Sequence, residues 1–435
     1  MADKVRDMSD RTPMEGFPPP RESQVNLGNW QEPPFNRWSF QHLREVIPTQ
    51  RIACGLVARP LDDADDPLVP DDVAVTRFGS GSPTVSGVFA DTWTDAVLVL
   101  HHGKVVLERY FEGMRADTPH LLMSVSKSIV GCVTGILADQ GRLDTGEPIT
   151  RYVPEIAGSG YDGATVRHLL DMRTGVAFSE VYQNPDAEVR VIERHMGWRP
   201  DGGSDRGGMY AYLASLGAEG PHGGPFVYRS ADTDMLGWVC ERAAGIRMAD
   251  LVSSLIWGPM GAEYDAEITC DSVGSAVHDG GICATARDVA RFGQLLLEDG
   301  SVGDQAVVPD WWLQESRHLD ADIRAAFAAS DSEPVLPGGW YRNQFWFVPG
   351  PSGDIQLGLG IHGQMVFVDR ATRTVAVKLS SWPTEQDHAY LLDTIRAFTA
   401  AGRHLAGLGG TAEIADWTRP TGPSGVAAGR ERGRG

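Results

Sequence analysis

The sequence predicts an α+β fold: one antiparallel sheet with flanking helices, built from both ends of the chain, and an all-α domain inserted between them. Three observations predict it. Alternating, Val- and Leu-rich strand signals occur early, over 96–110. They return late, over 343–381. The stretch between, from Phe178 to Gly300, carries helical patches joined by Gly-rich loops instead. Strands, then helices, then strands again imply a sheet that closes only when the second half of the chain returns to the first.

Taken in order, residues 1–34 are charged and Pro-rich and read as an extended arm. Arg37 to Ile47 has the spacing of a short amphipathic helix. Ala96 to Tyr110 alternates and is broken by His101-His102-Gly103-Lys104, a hairpin signal. Met123 to Gln140 is apolar with helical spacing, stopped by Gly141, and Gly131 and Gly135 point to close packing against a neighbour. Helical patches follow at Ala231 to Ala244 and Ala286 to Leu297. Consecutive antiparallel strands are expected at Asn343 to Val348, Gln356 to Gly360, Met365 to Asp369 and Thr374 to Ser381, with a turn at Asp369 to Thr372. Thr384 to Ala401 reads as a closing helix, and the Gly-, Pro- and Arg-rich residues 409–435 as a disordered tail. The expected division is an α/β domain from 35–177 and 301–408, and an all-α domain over 178–300. A cleft between them is the default place for a site.

Bulk properties exclude several classes. The 435 residues carry a formal net charge of -20. Such a surface repels phosphate backbones and anionic lipid, so neither nucleic acid nor a membrane is the expected partner. The arm has no apolar core of a signal peptide, and no run of about 18 apolar residues exists to span a bilayer. The five cysteines lack CxxC spacing and are odd in number, which fits reduced thiols rather than a disulfide framework. A cytoplasmic location is expected.

Three segments carry chemistry. Ser124-Val125-Ser126-Lys127 opens the predicted helix. A serine hydroxyl needs a base to become a nucleophile, and residues three apart on a helix share a face. Lysine serves as that base once burial or neighbouring cations lower its pKa. Alone, the motif reads equally well as an ordinary helix start followed by a surface lysine. Tyr228-Arg229-Ser230 precedes the helix from Ala231 and offers a phenol for proton transfer, or simply a packed tyrosine. Gly360-Ile361-His362-Gly363-Gln364 precedes a strand. Its glycines permit close backbone approach to a substrate, and an edge N–H there can face an oxyanion. Trp198, Trp340 and Trp346 fall near loops and are candidates to line a pocket. There is no G-x-S-x-G elbow, no H-E-x-x-H and no nucleotide-binding glycine motif, so neither a metal nor a cofactor is expected.

With these pieces in this order, the chain resembles the penicillin-recognising serine enzymes: class C β-lactamases, DD-peptidases and family VIII esterases. Within them it is most similar to the nylon-oligomer (aminohexanoate-dimer) hydrolases. The likeness runs from Trp30-Gln31-Glu32-Pro33-Pro34 to Ser380-Ser381-Trp382-Pro383. It includes Leu121-Leu122-Met123-Ser124-Val125-Ser126-Lys127-Ser128, Tyr152-Val153-Pro154-Glu155 and the Gly360–Gln364 segment. The resemblance implies a β-lactamase-like fold, with Ser124 acylated, Lys127 as general base and Tyr228 exchanging a proton with the leaving group. It implies an oxyanion hole from the N–H groups of Ser124 and Ile361. Tyr182, Glu193, Trp198, Asp279, His362, Gly363 and Trp346 are the expected substrate-binding residues, the substrate being a small ester or short linear amide. A homodimer is implied by the family alone. Glu193 stands where efficient oligomer hydrolases carry Asp, Asp279 where they carry Asn, and Arg229 where they carry a small or thiol residue. His362 replaces the Lys-Thr-Gly of penicillin binders, which argues against β-lactam cleavage. A non-catalytic binding protein on the same fold and a biosynthetic acyltransferase are the alternatives.

Overall fold

A computed structural model describes residues 12–201 and 207–408. The expected tail, the first eleven residues of the arm and residues 202–206 lie outside the described residues. The fold is α+β, as expected, and its centre is a seven-stranded antiparallel sheet. From edge to edge the strands are Lys104–Tyr110, Thr94–His101, Thr374–Ser380, Gln364–Asp369, Asp354–Gly360, Phe345–Pro349 and Trp340–Arg342. The early hairpin therefore pairs with the latest strand, and the two chain ends close one sheet.

Alternation along each strand sends side chains into two different layers. Val97, Val99, Phe367 and Ala376 pack with Phe89, Ile395 and Phe398, under the helices Val85–Asp91 and His388–Leu405. Leu98, Leu100, Val366, Val375 and Val377 face the other way, toward Phe292, Leu295 and Ile129 on the helices Ala286–Leu297 and Val125–Asp139. All of these side chains are buried. Each apart from Ala376 contributes roughly 1.5–3 kcal/mol of transfer free energy, enough together to fix the register against a one-residue slip.

Several elements differ from the sequence-based expectation. The early helix is only Phe35–Ser39, followed by a 3-10 turn at Leu43–Glu45. The strand expected from Asn343 is instead split. Asn343 and Gln344 both adopt left-handed backbone (φ 50° and 68°), making a two-residue turn between Trp340–Arg342 and Phe345–Pro349. The closing helix starts at His388 because the Asp387 side chain accepts the Tyr390 N–H at 2.9 Å and caps it there. The middle of the chain also contains strands, Ala266–Thr269 and Ile282–Ala284. They join Thr49–Ile52 and His120–Leu121 in a second, four-stranded sheet. Strands of two to four residues are too short to show a period in the sequence. This second sheet positions the site, because His120–Leu121 leads directly into Ser124.

Candidate active site

From the His120–Leu121 strand the Leu122 N–H donates to the Ile282 carbonyl at 2.8 Å. Met123 then turns into left-handed backbone (φ 47°), a strained conformation for a side chain of its size. That turn sets Ser124 at the N-terminus of the Val125–Asp139 helix. One turn later Lys127 is 1% exposed. Its Nζ donates to Ser124 Oγ at 2.9 Å, to Ser230 Oγ at 3.1 Å and to the Asp279 carbonyl at 2.8 Å. The Asp279 carboxylate lies 3.4 Å away. The Lys127 ammonium also sits 5.2 Å from the Tyr228 ring centroid.

Tyr228 is fixed by aromatic packing. Its ring stacks on Trp346 at 5.3 Å and meets the edge of Tyr341 at 6.1 Å. The Ser230 N–H donates to Glu180 Oε1 at 2.8 Å, which ties the start of the Ser230–Ala244 helix to the segment before Tyr182. Asp234 on that helix accepts the N–H groups of His278 and Asp279, each at 3.0 Å. Gly237 lets this loop lie flat on the helix, since a Cβ there would stand 2.1 Å from the His278 ring.

The electrostatics depart from the simple expectation for a lysine base. Burial pushes the Lys127 amine down, but Tyr228, Asp279, Glu180 and Asp234 hold it above its ordinary value. Its neighbours are acids, where the sequence argument had looked for cations. Burial also raises Tyr228, partly offset by Lys127 and by hydrogen bonding with Ser124. Glu180 is pushed up by burial despite Lys127. Asp234 is pushed well up by burial and then by the nearby Asp279 charge. The resting site therefore holds an ammonium among carboxyl groups, two of which, Glu180 and Asp234, are pushed up from the ordinary carboxylate range by burial.

Ser124 opens onto a narrow cavity that communicates with solvent. Tyr182, Glu193, Trp198, Asp279, Ser230 and Ile361 contribute to its wall, with Met123, Val189, Ile192, Met196 and Gly280. The structure thus brings Ser124, Ile361, Tyr182, Glu193, Trp198 and Asp279 together around one space, with Lys127 bonded to Ser124 and Tyr228 beside Lys127. Ile361 enters it directly after the strand Asp354–Gly360, and His362 beyond it is left-handed (φ 58°).

His362 and Gly363 are placed behind that wall. The His362 ring is buried against Phe40 at 5.2 Å, and its Nδ1 donates to the Trp382 carbonyl at 2.8 Å. Gly363 (φ 91°) leaves room for the Trp382 indole, 2.2 Å from where a Cβ would be. Trp346 reaches the site through Tyr228. Trp198 is locked by its Nε1 donating to Thr269 Oγ1 at 3.1 Å and its carbonyl accepting Trp30 Nε1 at 2.7 Å.

Glu180, Asp234 and Arg190 were not singled out from the sequence, and Ser230 only as the end of the Tyr228-Arg229-Ser230 segment, with no role given to it. Each of the first three is a single polar residue with no repeat or motif to mark it. Glu180 lies two residues before Tyr182, so proximity to a candidate was its one available signal.

Comparison with known proteins identifies the family. The family profile described as Beta-lactamase matches residues 88–400. The chain is 38% identical over 391 residues to the 6-aminohexanoate-dimer hydrolase of Paenarthrobacter ureafaciens, covering 88% of this chain and 97% of that protein. Esterase EstB of Burkholderia gladioli is 28% identical over 204 residues, 42% of this chain and 50% of its own. A Bacillus anthracis structure, provisionally described as a 6-aminohexanoate-dimer hydrolase, superposes with a TM-score of 0.81 at 27% identity, covering 91% of this chain and all of that one. The profile spans most of the chain, and the first relative covers nearly its whole length. The chain belongs to the beta-lactamase family and is a hydrolase of it.

Proposed function

We propose that this protein hydrolyses carboxylic esters and short linear amides through a Ser124 acyl-enzyme. The observation that carries the reading is Ser124, at the N-terminus of a helix and lining the cavity, its Oγ accepting at 2.9 Å from a buried lysine amine rather than capping the helix. Once the Lys127–Tyr228 pair has given up one proton to solvent, Ser124 Oγ attacks the carbonyl carbon and its proton passes into that pair. The N–H groups of Ser124 and Ile361 stabilise the oxyanion, the first aided by the positive end of the helix. As the tetrahedral intermediate collapses, the alcohol or amine leaves with a proton from Tyr228. Water then attacks the acyl group, gives its proton back through the same pair, and releases the acid and free Ser124. The relatives named for ester and amide cleavage support this substrate range. All five cysteines are unpaired, which supports a reducing, cytoplasmic setting. Among the described residues no helix is long and apolar enough to cross a membrane.

The test is steady-state kinetics on 4-nitrophenyl butyrate. Ser124→Ala and Lys127→Ala should each lower kcat by about 10³-fold or more while the fold is retained. Full activity in folded Ser124→Ala would sink the proposal.

A further inference from the structure

We propose that Arg190 and Arg199 set the specificity of this cavity, making it a site for uncharged, apolar substrate chains and closing it to chains that end in an ammonium group. The inference rests on the hydrolase reading above and deepens it. Glu193 lines the cavity and is buried, so by position it is the carboxylate that would meet a cationic substrate end. Its charge is already used. Arg190 donates from one guanidinium nitrogen to both Glu193 oxygens, each at 3.0 Å. Arg199 Nε donates to Glu193 Oε2 as well. Three charge-assisted bonds leave little of a carboxylate's accepting capacity, which is about four lone-pair sites.

The clamp is itself anchored. Arg190 Nε donates to the Tyr182 carbonyl at 2.9 Å, and its guanidinium lies 5.1 Å from the Tyr182 ring centroid. Its remaining nitrogen pairs with Glu385, whose carbonyl accepts the His362 N–H at 2.9 Å. Two arginines thus balance two glutamates, with no net negative charge left for a ligand. An ammonium entering beside Glu193 would meet two guanidiniums at close range in a poorly hydrated space, an unfavourable juxtaposition. The surrounding wall is Val189, Ile192, Met196 and Trp198, which favours an aliphatic chain. Asp279 is the other carboxylate in the cavity, and it is already the counterion of Lys127.

Two ester pairs test this at neutral pH: 4-nitrophenyl hexanoate against 4-nitrophenyl 6-aminohexanoate, and hexyl butyrate against 6-aminohexyl butyrate. The ammonium is on the acyl side in the first pair and on the alcohol side in the second. The wild type should prefer the uncharged member of each pair by about 10-fold or more in kcat/KM. Arg190→Gln should narrow that ratio several-fold in at least one pair by freeing Glu193, and Arg190→Gln combined with Glu193→Gln should restore it. If Arg190→Gln does not fold, Arg199→Gln gives the same reading, its side chain being partly exposed. Equal or better cleavage of the ammonium esters by the wild type would overturn the inference. So would an unchanged ratio in the folded arginine variants. A preference for ammonium esters lost only in Asp279→Asn would overturn it too, placing the cation at Asp279. Retained turnover in Ser124→Ala would instead defeat the hydrolase reading, a separate outcome.

Discussion

Lys127 carries the tension in this site, because its three hydrogen bonds orient it toward Ser124 while acids around it hold its proton. A base that is protonated at rest gives a rate that climbs with pH. Asp279 is the neighbour whose removal tests this with least disturbance, since its backbone carbonyl would still accept from Lys127. Asp279→Asn should lower the Lys127 pKa and move the rising limb of the kcat/KM profile to lower pH, so that activity near neutrality increases. A profile that does not move, or moves to higher pH, would show that Asp279 does not hold the proton. At this scale the sequence was legible where residues form a motif. Ser124 and Lys127 are three apart on a helix, and Tyr228 and Ile361 stand in recognisable segments. Glu180, Asp234 and the Arg190–Glu385 pair were illegible because they act through contacts far apart in the chain: Glu180 with Ser230, Asp234 with His278 and Asp279, and Arg190 with Glu385. No local pattern encodes such contacts.

The Val125–Asp139 helix is the element on which the site depends, and its glycines place it. A Cβ on Gly131 would stand 2.5 Å from the Asn343 carbonyl, and one on Gly135 would stand 2.5 Å from the Trp312 ring. The sequence pointed to close packing at both glycines. It hid the Asn343 partner, because Asn343-Gln344 runs directly into Phe345-Trp346-Phe347-Val348 and reads as the start of that strand. Those two polar residues are fully buried and fully engaged. Gln344 accepts from Thr233 at 2.7 Å and donates to the Leu169 carbonyl at 2.9 Å. Gly135→Ala should destabilise the protein by about 1–3 kcal/mol through overpacking against Trp312, measured by denaturant titration. A neutral or stabilising result, as helix propensity alone would give, would contradict the packing described.

Across the whole molecule, the sheet unites residues 94–110 with 340–380, and the arm crosses to hold the cavity wall through Trp30 and Trp198. The two-ended sheet was legible because its strands are long and alternate. The arm's contact was not, because an extended segment has no period. Lys378 lies inside this sheet with no exposure, donating to the Thr92 carbonyl at 3.0 Å and to Ser380. Burial lowers its pKa to about 7, against an ordinary 10.5, with Asp95 resisting and Arg37 assisting the shift. Between those two values the unfolded chain holds the extra proton, so this residue makes stability rise with pH over that window. Lys378→Met should remove the rise, its gain in Tm over wild type being largest near pH 6 and shrinking toward pH 10. A difference independent of pH would mean that Lys378 stays charged in the fold.

The proposed hydrolysis turns on Ser124 forming a covalent acyl-enzyme. Intact-protein and peptide mass spectrometry after treatment with a fluorophosphonate, or with a slowly deacylating ester, measures this directly. One adduct per chain is expected, on Ser124, absent from Ser124→Ala. Folded wild-type protein that turns over ester while remaining unmodified at Ser124, or that carries the adduct elsewhere, would contradict it.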